Sequence, residues 1–293
     1  MKTYKSKFQF FFVYVVAMGI ILFFLQSCSG NKSETTENTS ATRNDSVTAK
    51  IKQMTQEVFK AVTNGNDISS GEKIYDGSSF FDPDVNCFYQ FNEKGLETEK
   101  KYFGAKNKLT GHITLEYEAA GKLKKEVILA DDFRRDVVPL NAKLKFDDKG
   151  NLIEKKFIPA KKMRYQVEYI YHYKYHYDAK GVLQSDWMHE WEADGDVSWK
   201  YSYDGNGNLV KKESLSSSNF GSYSQTFIFN SKKEITEKFV ESTEDDPETG
   251  KTTSTKNNFT YKYEYDVKGN WIKKIEYENQ KATKIVVRSL DYY

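Results

Sequence analysis

The chain has 293 residues, with 44 Lys and Arg against 42 Asp and Glu, and 15% of its residues are aromatic. Charge this evenly balanced, with both signs interspersed, offers no basic stripe for nucleic acid. The chain holds two cysteines, Cys28 and Cys87. A fold stapled by a framework of disulfides is therefore excluded, and stability must come from burial.

The first residues place Lys2, Lys5 and Lys7 before an apolar run from Phe8 to Leu25 interrupted by Gln9. Leu25-Gln26-Ser27-Cys28 follows, and then Ser29 and Gly30. A basic start, an apolar middle and small residues before a cut site read as a secretory signal. The run is also long enough to be read as an uncleaved anchor. Leu-Gln-Ser-Cys resembles the lipobox that bacterial signal peptidase II cleaves. That resemblance implies a signal over 1–27 and a lipidated Cys28 as the mature N-terminus, tied to a membrane by its acyl chains. Cleavage removes three bases and no acids, leaving a body of 266 residues with 41 bases and 42 acids. The remaining thiol, Cys87, stands beside Phe88 and is expected to pack as a small hydrophobe.

From Cys28 to Asp45 the chain is mostly Ser, Thr, Asn, Glu and Lys. Such a stretch buries too little to offset its chain entropy and is expected to be a flexible tether over 28–45. Glu34 and Glu37 resemble the acidic signals that send lipoproteins of some Gram-negative bacteria to the cell surface. Asp45 and Ser46 are placed to cap a helix, Ile51, Met54, Val58 and Val62 follow at helical spacing, and Gly65 can end it. The expectation is one helix of about 17 residues within an N-terminal cap over 46–87, covering one end of a sheet.

Beyond it, over 88–293, the period changes to two. Tyr165, Val167, Tyr169, Tyr171, Tyr173, Tyr175 and Tyr177 alternate with mostly polar residues, and Phe259, Tyr261, Tyr263 and Tyr265 repeat the pattern. Alternation puts aromatics on one face of a strand and polar groups on the other. The mature chain holds 37 aromatic residues against 40 Leu, Ile and Val, a balance that suits pleated sheet faces.

The alternating runs end alike: an aromatic, a short polar turn and an apolar residue. Copies start at Phe91, Phe103, Tyr117, Phe146, Tyr177, Trp191, Tyr203, Phe229 and Tyr265. Their spacing falls near one or two units of about 13 residues, the mark of a repeat architecture. Seven copies carry Gly four residues past the aromatic: Gly95, Gly121, Gly150, Gly181, Gly195, Gly207 and Gly269. There Gly supplies the positive φ that closes a type I turn with a bulge, and Asp at the first turn position bonds the backbone two residues on. Asn107 replaces Gly in one copy and tolerates that conformation. Lys233 does not do so easily, so a looser turn is expected there. Strands leaving the turns, such as Leu152-Ile153-Glu154-Lys155-Lys156-Phe157, carry charge on both faces, which excludes a transmembrane barrel.

Tyr203-Asp204-Gly205-Asn206-Gly207-Asn208-Leu209 and Tyr265-Asp266-Val267-Lys268-Gly269-Asn270-Trp271 resemble the tyrosine-aspartate (YD) repeat of RHS-type proteins. The resemblance covers 88–293 and is strongest at 177–215 and 259–293. In that family the repeats form curved β-sheets that wrap into a shell, sometimes around a toxin. With about nine units and no long toxin domain, the expectation here is a mainly β fold of antiparallel hairpins in a long curved sheet, with the one N-terminal helix.

Catalytic motifs are missing: no Gly-x-Ser-x-Gly elbow, no phosphate-binding loop, no His-Glu-x-x-His helix. Asp204 through Asn208 begins like a calcium loop but lacks its Gly and its closing Glu, and reads as a hairpin turn. His172 and His176, four strand residues apart, stand too far from each other to share a metal. No cofactor and no metal are expected. The candidate binding platform is aromatic: Tyr169, Tyr171, Tyr173, Tyr175, Trp187, Trp191 and Trp199. The leading expectation is a non-enzymatic lipoprotein of the cell envelope, lipid-anchored at the outer membrane on its periplasmic face or at the cell surface, whose sheet engages a protein or glycan. The rival expectations are a periplasmic or surface hydrolase acting on polysaccharide, and a shell or carrier around a lipid or peptide.

Overall fold

The computed structural model describes residues 50–75, 84–130, 139–160, 169–190, 196–218, 221–245 and 249–293. The signal, Cys28 and the tether lie outside the described residues, as do Trp191 and Gly195.

The strands in chain order are β1 (Ile51–Asn64), β2 (Asp67–Lys73), β3 (Cys87–Phe91), β4 (Glu97–Phe103), β5 (Leu109–Tyr117), β6 (Leu123–Ala130), β7 (Leu140–Phe146), β8 (Leu152–Pro159) and β9 (Tyr171–Tyr177). They continue as β10 (Leu183–Glu190), β11 (Asp196–Tyr203), β12 (Leu209–Ser218), β13 (Gly221–Phe229), β14 (Ile235–Asp245), β15 (Thr252–Tyr265), β16 (Trp271–Glu278) and β17 (Lys281–Tyr292). From β3 to β17 each strand pairs antiparallel with the next. β1 closes the ring by pairing with β17 on one side and β3 on the other. β2 forms a hairpin with the far half of β1. The result is a closed antiparallel barrel of sixteen strands, with no α-helix among the described residues.

Two expectations are thereby corrected. The repeats do not form an open curved sheet, because β1 bonds both of its free edges and removes them. The segment read as a helix and cap is part of the barrel itself. Residues 51–64 are a strand in which Met54, Gln56 and Val58 are buried in alternation. Gly65, expected to end a helix, instead has φ +61 in the two-residue turn to β2. Helix propensity is a weak prior, and pairing with three neighbouring strands overrides it.

The turns at one rim share one geometry. In the last of them Gly269 N–H donates to the Asp266 carbonyl (3.1 Å) and Asp266 N–H to the Asn270 carbonyl (2.9 Å). Asp266 Oδ1 accepts from the Lys268 and Asn270 amides, both at 2.9 Å. The same backbone pair recurs after β3, β5, β7, β9, β11 and β13, with a register shift at each. Gly95, Gly121, Gly150, Gly181, Gly207 and Gly269 all have φ between +78 and +85. Lys233 takes the same place at φ +64 with the same hydrogen bonds, so the looser turn expected there is not found. The Phe103 copy differs: it sits between β4 and β5 at the opposite rim, where Lys106 and Asn107 both have positive φ. β1 starts and β17 ends at the tight-turn rim, where Tyr293 N–H donates to the Lys50 carbonyl.

Candidate functional site

Alternation in every strand sends one set of side chains inward, and the register shows how they are ordered. The fourth residue of each even-numbered strand from β4 to β16 is charged and inward: Lys100, Glu126, Lys155, Asp186, Lys212, Lys238 and Lys274. Opposite each, as its direct register partner, stands Tyr89, Leu115, Leu144, Tyr175, Tyr201, Phe227 or Tyr263. The lumen thus carries a belt of charges backed by rings and leucines, just inside the tight-turn rim.

Burying charge without a partner is costly, so the belt is compensated locally. Lys155 Nζ lies 2.9 Å from Glu126 Oε2, with both side chains buried, and above the Phe157 and Tyr173 rings. Lys274 Nζ lies 2.5 Å from Asp84 Oδ1. Burial pushes the Asp84 carboxyl up, and the ammonium groups of Lys274, Lys284 and Lys238 more than reverse it, leaving it at about 2. Lys100 sits over Tyr89 and Tyr102, at 4.7 and 4.5 Å from their centroids. Lys212 sits 4.0 Å from the Trp199 centroid, a cation–π arrangement. Burial lowers Lys212 to about 8 and raises Asp186 to about 6, while their mutual attraction opposes both shifts. The Tyr201 hydroxyl donates to Asp186 Oδ2 at 2.7 Å.

Tyr102 of β4 and Tyr173 of β9 lie within electrostatic reach although four strands separate them along the wall. Tyr102, Phe157, Tyr173, Trp199 and Phe227 of the inner face are all buried in one cluster, so the interior is filled rather than solvent-lined there. A sixteen-strand barrel with a round section would leave a channel.

Much of the outer wall is hydrophilic, with an apolar cluster of Phe59, Ile275, Tyr277, Ile285 and Val287 where β1, β16 and β17 meet. Glu99 and Lys101 on β4, Glu154 and Lys156 on β8, and Lys211 and Glu213 on β12 face outward and pair along the surface. A barrel in lipid needs an outward apolar band roughly 25 Å tall, which these residues interrupt. An aromatic group also stands on this wall at β9 and β10. Trp187 of β10 packs edge-on to His172 (5.4 Å) and stacks on His189 (5.9 Å, 10° between planes), and Tyr169 meets both imidazoles. His172 Nε2 lies 2.7 Å from Glu154 Oε1 and His189 Nδ1 lies 2.7 Å from Asp196 Oδ1. The Lys174 ammonium lies 4.9 Å from the Trp187 centroid. Burial lowers the His172 imidazole, against the raising effect of Glu154.

The candidate platform is therefore split. Tyr171, Tyr173, Tyr175 and Trp199 point into the lumen, with Tyr173, Tyr175 and Trp199 fully buried. Tyr169 and Trp187 stand outside. The turn glycines build the rim and touch neither group. His176 is exposed on the outer wall, while His172 is directly opposite His189 in the register. Among the described residues no three His, Cys, Asp or Glu side chains gather as a metal would require. Cys87 is free and buried, as its apolar setting suggested. Asp186, Lys212, Ser214 and Gln225 were not singled out in the sequence, although Lys-Lys at 100–101, 155–156, 211–212 and 273–274 was a visible signal for four of the inward lysines.

No protein-family model matches the chain, and no curated protein does. Among solved structures, a porin-like protein from Bacteroides uniformis is similar at a TM-score of 0.45 and 10% identity, over 82% of this chain and 96% of that one. A porin-like protein from Bacteroides vulgatus is similar at 0.40 and 12%, over 84% and 99%. The Photorhabdus luminescens Tc holotoxin pore is similar at 0.30 and 14%, over 70% of this chain and 10% of that one. The chain thus spans about a tenth of the toxin chain it resembles.

Proposed function

We propose that the protein is a non-enzymatic binding lipoprotein of the bacterial cell envelope, anchored to the outer membrane through Cys28 and engaging a protein or glycan with its outer wall. The observation that carries this reading is the Tyr169, His172, Trp187 and His189 group on the outer wall, set among charged side chains. Aromatic faces bordered by Glu154, Asp196 and Lys174 offer both stacking area and hydrogen-bonding groups, the mixture that polar partners use. The charged outer wall favours a barrel standing in water, so membrane attachment falls to the lipid. β1 begins at the tight-turn rim, so a tether from Cys28 would join the barrel at that rim. The aromatic-Asx-x-x-Gly turns support reading the chain as a small RHS-type tyrosine-aspartate repeat protein.

The test is twofold. Cys28→Ala should move the protein from the membrane fraction to the soluble one. Trp187→Ala should weaken saturable binding to cell-envelope glycan or protein by about tenfold or more, the loss of an aromatic anchor, with Tm changed little. Unchanged membrane attachment in the first variant, or unchanged binding in the second, would reject the reading.

A further inference from the structure

Two outward rows cross the wall side by side from β7, each residue the direct register partner of the next. One runs Lys145, Glu154, Lys174, Trp187, and the other Lys143, Lys156, His172, His189, Asp196. In these rows four ammonium groups stand with two carboxylates, and both carboxylates are already engaged. Glu154 meets His172 at 2.7 Å and Lys156 at 3.7 Å, and Asp196 meets His189 at 2.7 Å. Lys143, Lys145 and Lys174 are exposed and form no close ion pair among the described residues. Elsewhere on the outer wall lysine stands against glutamate at 2.7–3.0 Å: Lys101 with Glu99, Lys125 with Glu116, Lys211 with Glu213, Lys256 with Glu241 and Lys273 with Glu264. The positive excess is therefore local, and it borders the Trp187 and Tyr169 rings.

We infer that this face binds an acidic polysaccharide, with sugar rings against Trp187 and carboxylate or sulfate groups on Lys143, Lys145 and Lys174. The inference rests on the binding role proposed above and names its ligand class. A patch of one sign on an open surface draws in chains of the opposite sign. Neighbouring strands lie about 4.7–4.9 Å apart, so the row from Lys145 to Trp187 spans roughly 14 Å. That reach suits a chain rather than a single small anion. An acidic peptide is a poorer fit, because β8, β9, β10 and β11 are each paired on both sides and offer no free backbone edge. A nucleic acid is a poorer fit as well, since Glu154 and Asp196 within the rows repel a chain charged at every unit. The same two carboxylates accept hydrogen bonds from hydroxyls, which suits charges spaced between hydroxyl-rich rings. The aromatic rings add apolar area for the C–H faces of those sugars.

The experiment uses full-length protein purified from membranes in a non-ionic detergent. Polygalacturonate and chondroitin sulfate are the probes, and dextran, polyglutamate and oligothymidylate are the comparison chains. The inference expects saturable binding to at least one probe, weakening as salt screens the exposed charges, and weaker binding to every comparison chain. Lys145→Gln combined with Lys174→Gln should weaken probe binding about tenfold, the loss of two exposed ion pairs, with Tm unchanged. Lys256→Gln makes the same kind of charge change on β15, away from the rows, and should leave binding intact. No binding to either probe, tighter binding to a comparison chain, or a double variant that binds like Lys256→Gln would overturn the inference. Binding to envelope material that is lost in Trp187→Ala but unchanged in the lysine double variant overturns this inference alone and leaves the proposed function standing. Binding that is insensitive to Trp187→Ala overturns both.

Discussion

Each tight turn depends on one residue tolerating a left-handed backbone. A Cβ added at Gly269 would meet nothing within 4 Å, so a substitution there tests conformation without crowding. Gly269→Ala should destabilise the barrel by about 1–2 kcal/mol, the cost of placing an L-residue at positive φ. Lys233 already bears that cost at φ +64, so Lys233→Gly should stabilise by about 0.5–1 kcal/mol. Denaturant unfolding of both variants reads the two signs, and a pair of effects of the same sign would contradict the account. The glycines were legible in the sequence because turn chemistry is local. Lys233 was misjudged because its strain is offset by Asn230, whose Oδ1 accepts from the Lys232 and Glu234 amides. That compensation needs the folded turn to be seen.

At the level of elements, β1 shows why the closing strand escaped sequence reading. Its inward positions are Met54, Gln56 and Val58, and the polar Gln56 breaks the apolar period of two. Ile51, Met54, Val58 and Val62 then mimic helical spacing. Gln56 is tolerated inside because it donates to the Val85 carbonyl and accepts from Arg288 Nε. Partners this distant in sequence leave no local trace. The same strand changes neighbour midway, from β3 to β2, and Asn86 bridges the gap. Its Oδ1 accepts from the Val58 amide at 2.9 Å and its Nδ2 donates to the Ile74 carbonyl at 2.6 Å. Asn86→Ala leaves both backbone groups unpaired and should cost about 2–3 kcal/mol. Asn86→Ala unfolding at the denaturant midpoint of the parent protein would show that the junction contributes nothing. By contrast the aromatic ladders of β9 and β15 were legible, since their inward faces hold a ring at every second position.

For the whole molecule, closure rather than local pattern decides which face is interior. Lys155, Lys212 and Lys274 were readable as charges on strand faces, and only a closed ring places them in a filled lumen with Glu126, Asp186 and Asp84. The candidate platform divided for the same reason: alternation assigned residues to faces, but not which face was enclosed. The central claim is that the aromatic face is sealed inside while the charged face meets water. Single cysteines introduced along β11 of the full chain, in a Cys87→Ala background and in native membranes, test it with a water-soluble thiol reagent. The account predicts rapid labelling at positions 198, 200 and 202 without detergent, and protection at 197, 199 and 201. Labelling at 198, 200 and 202 only after detergent is added would mean that this face lies against lipid, and would contradict it.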